Sequence, residues 1–420
     1  MSAAPVINAE RLWARVQALS AFTVPDVPWT RRAFTALHQQ SRDWLADQFR
    51  QAGMAVSVDA GGNLVGRLPA KAGGSNKPLV TGSHCDTVPM GGRFDGIIGV
   101  LAGIEVAHAL HESGARLHHP LEVIDFLSEE PSDYGISCVG SRALAGKLAP
   151  DMLAARNATG ETLAEGVRRM GGDPGALDRP LRAPDSCAAF VELHIEQGPV
   201  LEARGLPIGV VTDIVGIRRV AIRVDGRADH AGTTPMDIRC DALAGAARII
   251  TATQQMAAQY LGSPRYVVAT IGRLSLTPDA SNAVPGKVEM TLEVRSDSVE
   301  VLDGFVPALM QSVEKELAAL RVRARVEPLS ISSPTACTPL VMEAIEQAAG
   351  ALGYANMRLP SGAGHDAVYM AGSGPMGMIF IPCLDGRSHC PEEWIEPQQL
   401  LDGTRVLCET LLQLDRSLPR

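Results

Sequence analysis

From Lys77 to Glu130 the chain reads as strand, helix, strand, and this stretch constrains the fold more than any other. "KPLVTGSH" is a short apolar run that ends in small residues, and "PLEVIDFLSEE" is a nearly all-apolar run that ends in acids. Between them "GIIGVLAGIEVAHALHESG" repeats apolar residues at three and four positions and stops at Gly114. Two strands joined through a helix run parallel with a right-handed crossover, so an open α/β sheet is predicted. Sheets of that kind present ligand-binding groups from loops at the carboxyl ends of their strands.

The loop inside this unit, "GSHCDTVPMGGRFDG", holds His84, Asp86 and Asp95 among four glycines and a proline. Glycine and proline forbid a long helix there, so the polar groups lie at a strand end and in the loop after it. The same placement recurs at Glu129 and Glu130, at His194 in "CAAFVELHIEQG", and at His389 in "LDGRSHCPEEW". Any one of these alone reads as a cap or a hydrogen-bonded surface group. Together, three imidazoles and several carboxylates on converging loops make a donor set suited to Zn²⁺, Mn²⁺, Co²⁺ or Ni²⁺, and the lack of thiolate disfavours a structural zinc. A bridging carboxylate would hold two such ions about 3.5 to 4 Å apart.

A chain of 420 residues exceeds one ordinary core. After about residue 207 the texture changes to alternating strands, then the helix "DALAGAARIITATQQMAAQYL", then "YVVATIGRLSLTP" and "GKVEMTLEVRSDS", with a further helix from about Leu302 to Leu320. That order, βαββ plus a helix, suits a compact α+β unit. From about Pro334 the α/β pattern resumes, with "GPMGMIFIPC" as a buried strand. The expected organisation is therefore a discontinuous α/β domain, 1–213 with 332–420, whose mostly parallel sheet has flanking helices, and an inserted α+β domain, 214–331. Residues from about Asn8 to Gln51 carry helical periodicity, and "AVSVDAGGNLVGRLP" reads as two strands about a Gly-Gly turn.

Apolar residues at 46% and charged residues at 20% indicate a globular chain, and a net charge of −9 without any Lys/Arg run argues against a nucleic-acid surface. The start lacks a basic segment followed by an apolar one, and no run of about 18 apolar residues follows, so a cytoplasmic location without membrane contact is expected. Eight cysteines without a CxxC pair fit neither a zinc ribbon nor a disulfide framework. His108 and His111 share a helix face without an accompanying acid motif, His118 and His119 precede a proline in a loop, and Cys85 points away from its neighbours His84 and Asp86; none of these is given a role.

The ordered set "GSHCDTVPMGGRFDG", "SEEP", "ELHIEQGPVLE", "DHAGTTPMDIRCDAL", "SNAVPGKVEMTLEVRSD", "SGAGHDA" and "GRSHCPEEW" resembles the hydantoinase/carbamoylase branch of the M20 metallopeptidase-like amidohydrolases, from about residue 60 to 400. The resemblance implies two divalent ions per subunit, with His84 and His194 on different ions, Asp95 bridging, and Glu130 on one ion and His389 on the other. It makes Glu129 the general base and Asp86 the residue that orients the His84 ring through its other nitrogen. It also implies that the inserted domain is a lid that forms a homodimer, and that His230, Asn282 and Arg295 bind substrate and the developing oxyanion. Arg295 would clamp a carboxylate, since a planar guanidinium matches it bidentately. Gln197 and His365 are further substrate-site candidates. One departure stands out: the acid pair in this branch is usually followed by glycine and soon by Arg-Phe, whereas this chain has "EEPSDYGISCVGSRAL".

The activity so implied is hydrolysis of the N-carbamoyl group of an N-carbamoyl-L-amino acid or related ureido acid through a metal-activated water. Alternatives are allantoate amidohydrolase or β-ureidopropionase activity, an aminopeptidase, dipeptidase or deacylase on the same scaffold, and a non-catalytic small-molecule binding protein. Glu129 counts against the last, since a binding module needs no general base.

Overall fold

The computed structural model describes residues 4–419; residues 1–3 and 420, the extremes of the expected α/β domain, lie outside the described residues. The amino-terminal helical stretch is two helices. Ala9–Ser20 starts where Asn8 accepts from the Arg11 amide, and Ala36–Gln51 starts where Thr35 accepts from the His38 amide. Pro25 and Pro28 lie in the break between them, and proline lacks the amide that a continuous helix needs.

In chain order the strands are β1 (Ala55–Val58), β2 (Leu64–Leu68), β3 (Leu79–His84), β4 (Leu121–Phe126), β5 (Ala189–Ile195), β6 (Ile208–Ile214), β7 (Gly216–Asp225), β8 (Asp229–His230), β9 (Val267–Thr277), β10 (Ala283–Val284), β11 (Lys287–Ser296), β12 (Arg323–Ser332), β13 (Thr335–Ala336), β14 (Asn356–Ser361) and β15 (Met376–Ile381). A nine-stranded sheet runs β1-β2-β4-β3-β5-β15-β6-β13, with β14 also beside β6. Its four central strands, β4, β3, β5 and β15, are parallel, and β1, β2 and β6 add antiparallel pairs outside them. The fold is thus mixed α/β with a mostly parallel centre. β3, β4, β5 and β15 are buried along their whole length, which explains why they read as mostly apolar runs without inside-outside alternation. Helix Ile97–Ser113, apolar on nearly every side, packs on β3 and is buried from Ile97 to Ala107.

The chain divides into two compact units. One runs to Thr212 and takes up Cys337–Leu359 and the chain from Ala363 onward; the other is Asp213–Ala336 with Pro360–Gly362. The second unit has a four-stranded antiparallel sheet in the order β12-β7-β11-β9. Alternate residues of β11 (Val288, Met290, Leu292, Val294) and of β7 (Val220, Ile222, Val224) join the helices Ala242–Ala258 and Val299–Ala319 in one core through Ile249, Phe305 and Leu309. Its four-stranded sheet and two long helices run βαββαβ, one strand more than the expected βαββ with a further helix. The extra strand, "RARVEPLSIS", is an edge strand with no buried residue, so no apolar alternation marked it.

No helix among the described residues is long and apolar enough to cross a membrane.

Candidate metal centre

The polar cluster follows from the strand order. β3 and β5 are neighbouring parallel strands, so His84 at the end of β3 and His194 near the end of β5 stand side by side, with ring centroids 6.2 Å apart. Gly96, in the left-handed region at φ 69, closes the loop against His84; a Cβ there would collide with the imidazole.

Each ring has its Nδ1–H tied to a backbone carbonyl: His84 to Asp86 O at 3.0 Å, His194 to Ile195 O at 2.9 Å. The Nε2 lone pairs are thereby turned to the cluster. His194 Nε2 lies 3.1 Å from Asp95 Oδ1, and His389 Nε2 lies 2.9 Å from Asp95 Oδ2 and 3.1 Å from Glu130 Oε1. Two donor groups result, each with its ligand atoms within 4.8 Å of one another: His84, Asp95 and His194, and Asp95, Glu130 and His389. Asp95 is in both. Here the structure departs from the expected partition: His84 and His194 fall together, and Glu130 falls with His389. Adjacent strand ends put the first two side by side.

Asp86 also behaves differently from expectation. Its backbone carbonyl, not its carboxylate, holds the His84 ring; the nearer carboxylate oxygen is 3.7 Å from Nδ1. The carboxylate instead accepts from the backbone amides of Glu129 and Glu130, both at 3.2 Å, and so anchors the acid pair. Glu129 Oε2 faces His84 Nε2 at 3.7 Å.

The electrostatics fit a cation. His194 Nε2 lies 3.1 Å from Asp95 Oδ1 and also 3.1 Å from the Gly96 amide, so the ring nitrogen stands between a carboxylate oxygen and a backbone N–H. Burial opposes the charged form of His84, yet Glu129, Asp86, Asp95 and Glu130 together push its pKa well above the usual range. Hydrogen bonds to Asp95 and Glu130 push His389 up to about 11. Burial also works against an ionised Asp95, but His194 and His389 hold it well below the carboxylate range. Burial raises Asp86 to about 7 and drives Glu129 well upward, with Glu130 adding to the latter. Imidazoles and carboxylates in this mixture suit a divalent ion with nitrogen and oxygen ligands.

Several supporting residues lie outside the sequence expectations. Glu393 accepts from the amides of Phe94 and Asp95; it follows His389 by four residues in the noted "GRSHCPEEW", and an acid so close to a ligand histidine could have flagged it. Cys138 brings its thiol to 3.5 Å from Glu129 Oε1. Asp366, beside His365, is buried and accepts from Ser141 at 2.5 Å.

Of the remaining candidates, Gln197 belongs to this cluster, donating from Nε2 to Asp95 Oδ2 at 3.0 Å. His365 is buried, with its ring 4.6 Å from that of His194. His230, Asn282 and Arg295 lie in the second unit. His230 is exposed on β8, and its Nδ1 accepts from the amides of Gly232 and Thr233, so Nε2 carries the proton. Asn282 holds the neighbouring backbone, its carbonyl accepting from Ala231. Arg295, the expected carboxylate clamp, already has partners within its own unit: Nε donates to Glu293 Oε1 and Nη1 to Gly362 O, both at 2.7 Å. Residues two apart on a strand share a face, which brings Glu293 to it.

Residues 80–413 match the family model for peptidase family M20/M25/M40. The chain is 42% identical to the N-carbamoyl-L-amino acid amidohydrolase of Geobacillus stearothermophilus over 97% of its own length and 99% of the relative's. It is 34% identical to a ureidoglycolate hydrolase of Arabidopsis thaliana, over 97% and 87%. Among solved structures, a hydantoinase/carbamoylase family amidase from Burkholderia multivorans superposes with a TM-score of 0.91 at 34% identity, covering 99% of this chain and 100% of that one.

Proposed function

The chain belongs to peptidase family M20/M25/M40, in its hydantoinase/carbamoylase branch, and from that membership we propose that it is a metal-dependent amidohydrolase that removes the N-carbamoyl group of an L-amino acid. The observation that carries the reading is the division of Asp95 between two donor groups, Oδ1 toward His194 and Oδ2 toward His389. In this reading His84 and His194 would hold one divalent ion and Glu130 and His389 a second, with Asp95 common to both sets, and zinc, manganese, cobalt or nickel would suit these donors.

Divalent ions held there would supply a water of lowered pKa and a polarised ureido carbonyl. The chain's own residues do the rest. Glu129 accepts a proton on Oε2 from the attacking water as the water oxygen bonds to the ureido carbon, and returns that proton to the amino-acid nitrogen as the C–N bond breaks. The amino acid leaves, and the carbamic acid left behind falls apart to ammonia and carbon dioxide. Asp86 keeps the backbone of Glu129 and Glu130 fixed while the proton moves. Gln197 steadies Asp95, and His365 backs the His194 ring. The second unit acts as lid and dimerisation domain, with Arg295 on the substrate carboxylate and His230 and Asn282 on the ureido group. The enzyme works as a cytoplasmic homodimer.

A ureido acid of the ureidoglycolate type is a second reading, favoured by the identity to the plant ureidoglycolate hydrolase over almost the whole chain. The test is ammonia release by chelator-stripped protein given Zn²⁺, Mn²⁺, Co²⁺ or Ni²⁺, with N-carbamoyl amino acids, ureidoglycolate, allantoate and dipeptides. Ammonia from carbamoyl amino acids above all others supports the first reading. Cleavage of dipeptides alone, or no turnover with any metal, would overturn it.

A further inference from the structure

We propose that Glu393 is a positioning residue that locks the loop of Asp95 to the loop of His389 before any metal arrives. The proposal rests on the metal reading given above. Asp95 sits on no strand or helix: its loop turns through Gly92 at φ 106 and Gly96 at φ 69, conformations that glycine adopts without cost. His389 lies on a loop nearly 300 residues further along and is itself half exposed, so neither element alone brings the two together.

Glu393 does. Its side chain is buried, with 1% exposure. Oε1 accepts from two consecutive amides of the first loop, Phe94 at 2.7 Å and Asp95 at 3.1 Å. Oε2 accepts from the Ser388 hydroxyl at 2.7 Å, next to His389. Gln197 completes the tie, donating to Ser388 Oγ at 3.1 Å and to Asp95 Oδ2 at 3.0 Å. An apolar contact lies alongside: the rings of Phe94 and Trp394, each next to a member of the Asp95–Glu393 link, meet edge to face with centroids 5.7 Å apart. At Gly92 a Cβ would collide with the Glu393 carboxylate, so the loop is closed tightly over it.

A buried carboxylate is costly unless hydrogen-bonded, and all three of its donors here come from the loops it joins. The acid is therefore satisfied only while both loops are in place. All of these contacts are made between the chain's own groups, and on this proposal they hold the bridging ligand and the far histidine in register before metal binds.

The experiment titrates chelator-stripped wild type, Glu393→Ala and Glu393→Gln with Zn²⁺ and Mn²⁺ against a chromophoric chelator, then measures kcat at saturating metal. Glu393→Ala should bind metal about 10- to 100-fold more weakly, the span for lost outer-shell partners, and recover most of its kcat once metal saturates. Glu393→Gln, which keeps an acceptor for the two amides, should lose less. Wild-type affinity in Glu393→Ala, or activity that saturating metal does not restore, would overturn the proposal. Hydrogen exchange of residues 92–96 in stripped wild type needs no variant to fold: slow exchange at Phe94 and Asp95 is expected, and free exchange would also overturn it. Failure of the wild type to bind any divalent ion would instead count against the metal reading.

Discussion

Glu129 Oε2 stands 3.7 Å from His84 Nε2, facing the nitrogen without bonding to it, and Oε1 is turned to the Cys138 thiol 3.5 Å away. The adjacent Glu130 is 3.1 Å from His389 Nε2. Neighbouring residues point apart, and the shared anchor on Asp86 fixes which way each points, so the two acids are placed for different work.

Glu129→Gln should therefore keep fold and bound metal while lowering kcat by about 10²- to 10⁴-fold, the span for a lost general acid/base. Glu130→Gln should lose metal instead. Metal analysis beside steady-state kinetics checks both, and exchanged phenotypes would reverse the assignment within the pair.

Chelation should abolish activity, and added divalent metal should restore it, with two ions per subunit at saturation. The observed grouping makes the variants specific: His389→Ala should lose the ion shared with Glu130, His84→Ala the ion shared with His194, and Asp95→Ala both. Elemental analysis of dialysed variants measures this. A fully active wild type with at most one ion would sink the paired centre.

The unusual loop after the acid pair is held by Tyr134, whose hydroxyl donates to Glu161 at 2.6 Å while its ring packs edge to face on Phe34, 5.1 Å away. Hydrogen bonds from Arg169 and Tyr134 pull Glu161 from its ordinary 4.5 down to about 2. A depressed acid adds stability above its unfolded pKa and loses it as pH falls through the folded value, so this contribution should fade between about pH 4.5 and 2. Glu161→Gln should lower Tm at pH 7 and leave it nearly unchanged near pH 2. An equal loss at both pH values would mean that packing, not charge, holds the loop.

Much of this was legible because buried parallel strands announce themselves: β3, β4 and β5 are mostly apolar runs that end among polar residues, β15 is an apolar run, and the ends of the first three supplied His84, the Glu129–Glu130 pair and His194. Edge strand β12 was illegible because none of its residues is buried. The grouping of ligands could not be read either, since it depends on β3 and β5 being neighbours, which is a fact of sheet order and not of chain order. Glu393 and Cys138 act through backbone amides and a carboxylate brought close only by folding. The Glu293 partner of Arg295 carries no motif of its own, and the Gly362 carbonyl reaches the guanidinium only in the folded chain.

That partner sharpens the remaining prediction. Glu293 takes the Nε edge of Arg295 through Nε and Nη2, and Gly362 O takes Nη1. A guanidinium has five N–H groups, so one remains on each terminal nitrogen. Glu293 and Gly362 thus aim the fork as well as neutralise it. Losing one member of a buried, hydrogen-bonded charge pair costs about 2 to 5 kcal/mol, and about 1.4 kcal/mol is tenfold. Arg295→Ala should then cut kcat/KM for an N-carbamoyl amino acid by roughly 30-fold or more. Lysine should rescue only in part, because a point charge cannot reproduce the fork. The control is the same substrate with its carboxylate made an amide: wild type should turn it over poorly, and Arg295→Ala should discriminate little between the two. Equal losses on acid and amide would mean that Arg295 serves the fold of the second unit through Glu293 and Gly362, and the carboxylate clamp would have to be abandoned.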